Sequence, residues 1–220
     1  TVRVRRKIVY TGYLEREGAR GAPNAEHSIP FDRPYLLVTP GGGGDGEAMV
    51  DWVLRAYESD ATPPYPALLV FGPFMQQEKQ LEFARRVGEL KNVEAITCEA
   101  NIEPLIQGAS GIVAMGGYNT FCEILTFDKP ALIIPRTVPR KEQFIRAYRA
   151  QELGLVRMLE DDGIRNDRDM ATALRHLPQQ HRPSDIIVPG LLDGLPNVNR
   201  LARRLSGRNS RPLAAIAGQN

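Results

Sequence analysis

The strongest constraint on the fold is a repeating alternation of short apolar runs with amphipathic segments, which starts near Tyr35. Six runs rich in Val, Ile and Leu follow one another, at residues 36–38, 67–71, 93–96, 112–115, 131–134 and 155–159. Most of these runs lack alternating polar residues, and continuous apolar strands are typical of a parallel sheet covered on both faces. The sequence therefore predicts a doubly wound, Rossmann-like α/β fold with a parallel sheet of about six strands.

The segments between these runs carry helical apolar spacing and predict the crossover helices. Met49, Val53 and Tyr57 share one helical face, as a helix packed on a sheet requires. A second stripe combines Leu81, Ala84, Val87 and Leu90, further helices are predicted at residues 119–127, 142–154 and 167–177, and a final stripe runs from Leu195 to Leu205. Asn166 or Asp167 is a suitable N-cap for the third of these helices.

Composition narrows the class of protein. The 220 residues carry 28 basic and 26 acidic side chains, for a net charge of +2. No apolar run approaches the roughly 18 residues of a membrane span. Two cysteines cannot build a disulfide framework, so we expect a cytoplasmic protein. Arg200, Arg203, Arg204 and Arg208 offer a basic patch, but the low net charge and the lack of an aromatic stacking motif favour no nucleic-acid partner.

A glycine-rich turn follows the first strand run, at Gly41, Gly42, Gly43 and Gly44. In open α/β sheets, ligands bind beyond the carboxyl ends of the strands. Glycines allow backbone N–H groups to approach a ligand closely, and the helix that follows near Glu47 favours an anion such as phosphate. A merely flexible loop is the alternative. No Gly-Lys-Ser or Gly-Lys-Thr follows, and no acid ends the next strand, which disfavours P-loop and nicotinamide dinucleotide sites.

A second glycine turn, Gly116-Gly117, follows the fourth strand run and leads into a predicted helix. Unsatisfied N–H groups around Asn119 and Thr120 would face an anion at the helix start. One helical turn later, the Glu123 carboxylate could accept hydrogen bonds from two adjacent hydroxyls, such as those of a ribose. A simple capping box between Thr120 and Glu123 fits the same spacing, so the sequence leaves both interpretations open.

A third turn, after the fifth run, is rich in cations and begins with Arg136. Arg140 and Lys141 follow within the same six residues, and clustered cations can neutralise charge on a departing diphosphate. Solvated surface charge is the commoner explanation of such a run. Glu142 and Gln143 offer hydrogen-bonding groups at the next helix start, suited to the hydroxyls of a sugar ring.

Together these turns resemble the C-terminal, donor-binding half of GT-B glycosyltransferases, particularly the peptidoglycan N-acetylglucosaminyltransferase group. The resemblance covers residues 7–162 and rests on the glycine turn at 41–46, on the segment 116–125, and on the Lys-Pro-Ala segment that begins at Lys129. It implies that the fold is one half of a GT-B fold. It also implies a nucleotide diphosphate sugar as the donor substrate, with UDP as the favoured nucleotide.

The resemblance assigns roles to individual residues. Glu123 would hold the ribose, and Asn119 and Thr120 would lie near the diphosphate with the glycines of both turns. The complete set of donor-binding candidates is Gly42, Gly43, Gly44, Cys98, Glu99, Ile102, Gly116, Gly117, Asn119, Thr120, Glu123, Glu142 and Gln143. Within that set, Cys98, Glu99 and Ile102 would surround the base, and Glu142 and Gln143 would touch the donor sugar. The expected catalytic contribution comes from Arg136 and Arg140, which would stabilise the leaving diphosphate.

The implied function is donor binding in a glycosyltransferase whose acceptor is unknown. A nucleotide-sugar epimerase of the same fold is an alternative, although no convincing acid/base pair appears, and a non-catalytic nucleotide-binding module is another. Asp167-Arg168-Asp169 is interpreted as a helix cap, and we expect neither a metal nor a cofactor. The resemblance implies that the N-terminal acceptor domain is missing from this chain, which alone is expected to be inactive. Any peripheral membrane association is expected to occur through the acceptor or that domain.

These interpretations divide the chain into four segments. Residues 1–33 hold a first strand, an interdomain segment and a long loop, and residues 34–177 form the nucleotide-sugar-binding domain. A loop and helix occupy residues 178–205, and a flexible tail follows at 206–220.

Overall fold

A computed structural model describes residues 8–16, 30–42, 44–97 and 102–206. Two compact units are present. The larger comprises Arg16–Ile187, and the smaller combines Thr1–Glu15 with Val188–Asn220. The four segments expected from composition stay a prediction.

The larger unit is built on one six-stranded parallel sheet. Its strands are β1 (Leu36–Thr39), β2 (Ala67–Phe71), β3 (Val93–Thr97), β4 (Gly111–Ala114), β5 (Ala131–Ile133) and β6 (Arg157–Met158). The spatial order is β3-β2-β1-β4-β5-β6, with every neighbouring pair parallel. This order confirms the predicted doubly wound, Rossmann-like fold. Strand order reverses between β1 and β4, which is where ligands bind in such sheets.

Helices follow the strands in the expected alternation. They are α1 (Glu47–Glu58), α2 (Gln77–Gly88), α3 (Glu103–Gly108), α4 (Tyr118–Thr126), α5 (Glu142–Glu152) and α6 (Asp167–His176), with α7 (Gly194–Leu205) in the smaller unit. The Asn166 side chain caps α6 by accepting a hydrogen bond from Arg168 N at 2.9 Å. The sequence did not predict α3, because six residues are too few to show a helical period.

The core lies between the sheet and its helices. Trp52 on α1 is 2% exposed, and its Nε1 donates to the Asn166 carbonyl oxygen at 2.9 Å. On α2 the predicted stripe is partly wrong, since Leu81 is 66% exposed while Phe83 and Val87 are buried. Phe83 and Val87 stand one helical turn apart, and burying the larger ring removes more apolar surface from water.

The smaller unit is held by backbone pairing. Tyr13 N donates to Leu191 O at 2.7 Å, Gly194 N donates to Tyr13 O at 2.9 Å, and Leu14 forms an antiparallel bridge with Asp193. None of the helices in the described ranges is long and apolar enough to cross a lipid bilayer. Most of the predicted first strand, and the tail from residue 207 onward, lie outside the described residues.

Candidate functional site

Two adjoining cavities lie at the carboxyl ends of the strands, where the strand order reverses. The β2-side cavity, of about 240 Å³, is lined by Thr39, Gly41, Gly42, Val70, Phe71, Gly72, Pro73, Ile102, Thr120 and Glu123. The β5-side cavity, of about 570 Å³, is lined by Pro40, Gly41, Gly42, Gly44, Asp45, Phe74, Met115, Gly117, Tyr118, Asn119, Thr120, Arg136, Pro139 and Gln143. They share Gly41, Gly42 and Thr120, so we describe them together as the crevice.

The glycine turn after β1 forms the boundary between the two cavities. Gly41 has a φ of +75°, a conformation that side chains rarely adopt, and its N–H donates to Thr39 Oγ1 at 3.2 Å. The Gly42 carbonyl accepts a hydrogen bond from Phe74 N at 3.0 Å. A Cβ on Gly46 would lie 2.1 Å from Pro40 Cβ. These contacts tie the described part of the turn to its neighbours and leave backbone lining the crevice.

The second glycine turn presents the start of α4 to the crevice. Gly116 has a φ of +75°, and its carbonyl accepts from Arg146 Nη1 at 2.7 Å. Gly117 is the N-cap, without a side-chain cap, and Phe121 N donates to its carbonyl at 2.9 Å. A Cβ on Gly117 would meet nothing within 4 Å. The helix start is therefore open, with the positive end of its dipole toward the crevice.

This geometry removes one interpretation of the Thr-x-x-Glu spacing. A capping box needs the hydroxyl residue at the N-cap. Thr120 is instead the third residue of α4, two positions beyond the first helical residue, Tyr118. The capping-box interpretation of Thr120 and Glu123 is therefore wrong.

Glu123 lies in the wall of the β2-side cavity and is only 7% exposed. Its Oε1 accepts a hydrogen bond from Arg16 Nη2 at 2.7 Å, and this bond raises the pKa of Arg16 above its ordinary value. The Arg16 backbone N–H also donates to Thr126 Oγ1 on the same helix, at 3.2 Å. A buried carboxylate is thus held in place by a cation on one of its oxygens.

Arg136 joins the turn after β5 to the turn after β1. Its Nη1 donates to Asp45, and its Nη2 donates to Glu142 Oε1 at 3.2 Å. The hydrogen bond to Asp45, which contributes most, and the hydrogen bond to Glu142 raise the pKa of Arg136 above its ordinary value. The Arg136 backbone N–H donates to Gln143 Oε1 at 3.2 Å. The single charge of this guanidinium is therefore shared between two carboxylates.

The crevice brings together nine of the predicted residues. They are Gly42, Gly44, Ile102, Gly117, Asn119, Thr120, Glu123, Arg136 and Gln143. Gly116 shapes the turn but lines neither cavity, and neither do the exposed Arg140 and Glu142. Gly43, Cys98 and Glu99 lie outside the described residues.

The residues missed from the sequence include Asp45 and Phe74, which line the β5-side cavity, and Arg16, which bonds Glu123 without lining either cavity. Phe74 is 75% exposed, and its ring lies 3.5 Å from where a Cβ on Gly42 would be. It follows the end of β2, so the rule that selected the glycine turns could also have selected Phe74. Nothing near Arg16 in the sequence indicates its partner, because Glu123 is 107 residues away.

Metal-ligating groups are not clustered in the part of the chain that the structure describes, where no three His, Cys, Asp or Glu side chains could hold one ion. Asp167 instead pairs with Arg55, and Asp169 is an exposed residue of α6. Both acids stand in the first turn of that helix, where negative charge is stabilised by the dipole.

A doubly wound sheet with a glycine turn and an open helix start at its switch point is typical of α/β domains that bind nucleotides. The chain belongs to the glycosyltransferase family 28 C-terminal domain family, whose model matches residues 36–181. The predicted resemblance to the donor half of GT-B glycosyltransferases is thereby confirmed.

Individual relatives agree with this family. The chain is 30% identical over 157 residues to an uncharacterized glycosyltransferase of Methanosarcina acetivorans, a match that covers 71% of this chain and 38% of the relative. It is 20% identical over 137 residues to the UDP-N-acetylglucosamine--N-acetylmuramyl-(pentapeptide) pyrophosphoryl-undecaprenol N-acetylglucosamine transferase of Alkaliphilus metalliredigens, covering 62% of this chain and 37% of that one. The chain thus spans well under half the length of the curated relatives it matches.

A solved structure shows the same fold. The crystal structure of CalG4, the calicheamicin glycosyltransferase, superposes with a TM-score of 0.60 at 20% identity, over 92% of this chain and 48% of CalG4.

Proposed function

We propose that this chain binds a nucleotide diphosphate sugar, with UDP as the nucleotide, and that the protein transfers the sugar to an acceptor. One observation carries the proposal. A buried carboxylate, Glu123, and the open start of α4 line adjoining cavities at the switch point. A nucleoside diphosphate needs one site that accepts hydroxyl hydrogen bonds and one that binds an anion, and the crevice offers them side by side.

The nucleoside would occupy the β2-side cavity. Within the described residues, the Glu123 carboxylate is bonded at Oε1, by Arg16. Oε2 would then be the oxygen that accepts hydrogen bonds from the two ribose hydroxyls. Ile102 lines the same cavity and would contact the base. Cys98 and Glu99, which the family resemblance also places near the base, remain candidates on that evidence alone.

The diphosphate would lie at the middle of the crevice, against Gly41, Gly42 and Thr120. Backbone N–H groups of the glycine turn and the dipole of α4 favour negative charge there. As the bond to the sugar breaks, the diphosphate gains charge, and these fixed dipoles would stabilise it. Arg136 and Arg140 would add positive charge at this stage. Arg136 is already shared between Asp45 and Glu142, whereas Arg140 belongs to no ion pair among the described residues.

The sugar would extend into the β5-side cavity. Gln143 lines it and is only 8% exposed, and Glu142 stands beside Gln143 at the start of α5. Their amide and carboxylate groups would bind ring hydroxyls. The acceptor and the general base would come from the rest of the protein. We accordingly expect this chain to bind donor without completing the transfer.

Calorimetric titration with UDP, TDP, GDP and ADP tests the nucleotide site. Charge-assisted hydrogen bonds are worth about 1.5–3 kcal/mol, so Glu123→Ala should weaken UDP binding by about 10- to 100-fold. The matched control is Glu152→Ala. Glu152 is an exposed glutamate that lies outside the crevice and is likewise bonded to an arginine, Arg149, at 2.5 Å. Equal UDP affinity in wild type and Glu123→Ala would eliminate the ribose role. A wild type that binds none of the four nucleotides would eliminate the proposed function.

Turnover needs the full-length protein. Release of UDP from UDP-sugars, measured with candidate acceptors, would support the transferase. Nucleotide binding without turnover by the full-length protein, with every donor tried, would instead favour a non-catalytic binding module.

A further inference from the structure

Each side of the crevice holds a carboxylate bonded to an arginine. On the β2 side, the Glu123 carboxylate is bonded to Arg16. On the β5 side, Arg136 bonds both Asp45 and Glu142, and Glu142 also interacts electrostatically with Arg140. Of these two carboxylates, only that of Asp45 lines the cavity. The β5-side cavity therefore presents a carboxylate that shares its arginine with Glu142.

The order of the lining residues indicates what this carboxylate would meet. Gly41, Gly42 and Thr120 are common to both cavities, and the nucleoside anchor Glu123 lies on the β2 side of them. Asp45 and Gln143 lie on the β5 side. A nucleotide sugar is a linear arrangement of nucleoside, diphosphate and sugar, so the group that reaches Asp45 is the sugar.

The chemistry of Asp45 suits a neutral polyol better than a phosphate. An ionised carboxylate only accepts hydrogen bonds, and sugar hydroxyls donate them. The side chain is 40% exposed, and Arg136 holds its Oδ2. None of the hydrogen bonds within the described part of the chain uses Oδ1.

We infer that Asp45, positioned by Arg136, accepts a hydrogen bond from a hydroxyl of the donor sugar and so helps to select that sugar. The inference rests on the proposed function and extends it to a residue of the glycine turn. It makes Asp45 a specificity determinant and leaves binding of the nucleotide itself to the other half of the crevice.

The test compares UDP with UDP-glucose and UDP-N-acetylglucosamine by calorimetry, in wild type and in Asp45→Asn. Asparagine keeps the size and the acceptor oxygen for Arg136 but removes the charge. We expect wild type to bind at least one UDP-sugar more tightly than UDP. Asp45→Asn should bind UDP within about twofold of wild type and lose the extra affinity for that sugar, about tenfold, because an unmatched hydroxyl contact is costly.

Asp167→Asn is the matched control. Asp167 has a similar side-chain exposure, 37%, and is likewise bonded to an arginine, Arg55, but it lies outside the crevice. Its substitution should change neither affinity. A second measurement uses singly deoxygenated UDP-sugars. Wild type should lose about the same factor in affinity when one particular hydroxyl is removed. Asp45→Asn should bind that analogue and the parent sugar equally.

Three outcomes would overturn the inference while nucleotide binding still holds. Wild type could bind UDP and its sugars equally, Asp45→Asn could weaken UDP and UDP-sugars by the same factor, or it could strengthen both. The second result would make Asp45 purely structural, and the third would make it a competitor for the charge of Arg136. A wild type that binds no UDP would overturn the proposed function itself.

Discussion

Arg16 Nη2 lies 2.7 Å from Glu123 Oε1, although 107 residues separate the two side chains in the sequence. A second hydrogen bond, from the Arg16 backbone N–H to Thr126 Oγ1, ties the same residue to α4. The chain that precedes the sheet thus holds a carboxylate of the β2-side cavity in its orientation.

Removing this arginine should affect both stability and binding. The Arg16 side chain is 42% exposed but that of Glu123 only 9%, so Arg16→Ala should lower the free energy of unfolding by about 1–2 kcal/mol. UDP binding should weaken about threefold to tenfold, less than in Glu123→Ala, because the carboxylate remains but is no longer oriented. Urea unfolding and calorimetry measure the two effects. Tighter UDP binding by Arg16→Ala would show instead that Arg16 competes with the ribose for Glu123.

Substitution of two adjacent glycines by alanine should affect different properties, stability at Gly116 and UDP binding at Gly117. Gly116→Ala places a Cβ at positive φ and 2.8 Å from Ile133 Cγ2, which should cost about 2 kcal/mol of stability. Gly117→Ala has a φ of −54° and open space around the new methyl, so stability should stay within about 0.5 kcal/mol. Its methyl should nevertheless obstruct an anion at the start of α4 and weaken UDP binding. If a folded Gly117→Ala variant bound UDP with wild-type affinity, the diphosphate would not bind at this helix start.

Asp51 should make stability depend on pH in the acid range. Burial opposes ionisation, but hydrogen bonds from Arg86 and Arg55 outweigh it and lower the pKa of Asp51 below its ordinary value of 3.8. A carboxylate with a depressed folded-state pKa contributes stability above the unfolded-state pKa, and this contribution is lost as pH falls through the folded-state pKa. At pH 7, Asp51→Asn should therefore lower the free energy of unfolding by about 1–2 kcal/mol.

The difference between wild type and Asp51→Asn should shrink as urea titrations are moved from pH 7 to below about pH 4. Glu89→Gln is the control, because Glu89 and its partner Arg85 have side chains 68% and 69% exposed and should contribute little at either pH. A stability difference that is the same at both pH values would contradict the ionic role of Asp51.

The sheet was predictable because its four central strands, β1, β2, β4 and β5, are buried on both faces. Residues 36–38 and 67–71, for example, contain no polar residue, and such continuous apolar runs are typical of the central strands of a parallel sheet. The turns that follow β1 and β4 were predictable for the same reason, since the ends of the strands locate them. The sequence predicted less well which face of each helix is buried. On α2 the sequence offers Leu81 and Phe83 as competing apolar positions, and only packing against the sheet decides between them.

By itself, the sequence determined the order of the strands and of the helices other than α3, the two glycine turns and the type of side chain each turn carries, because burial and turn formation depend on neighbouring residues. Only the tertiary structure decided which charges meet. Asp45 and Arg136 are 91 residues apart, and Arg16 and Glu123 still further. Such pairs depend on where separate loops converge above the sheet, and no local pattern encodes that distance.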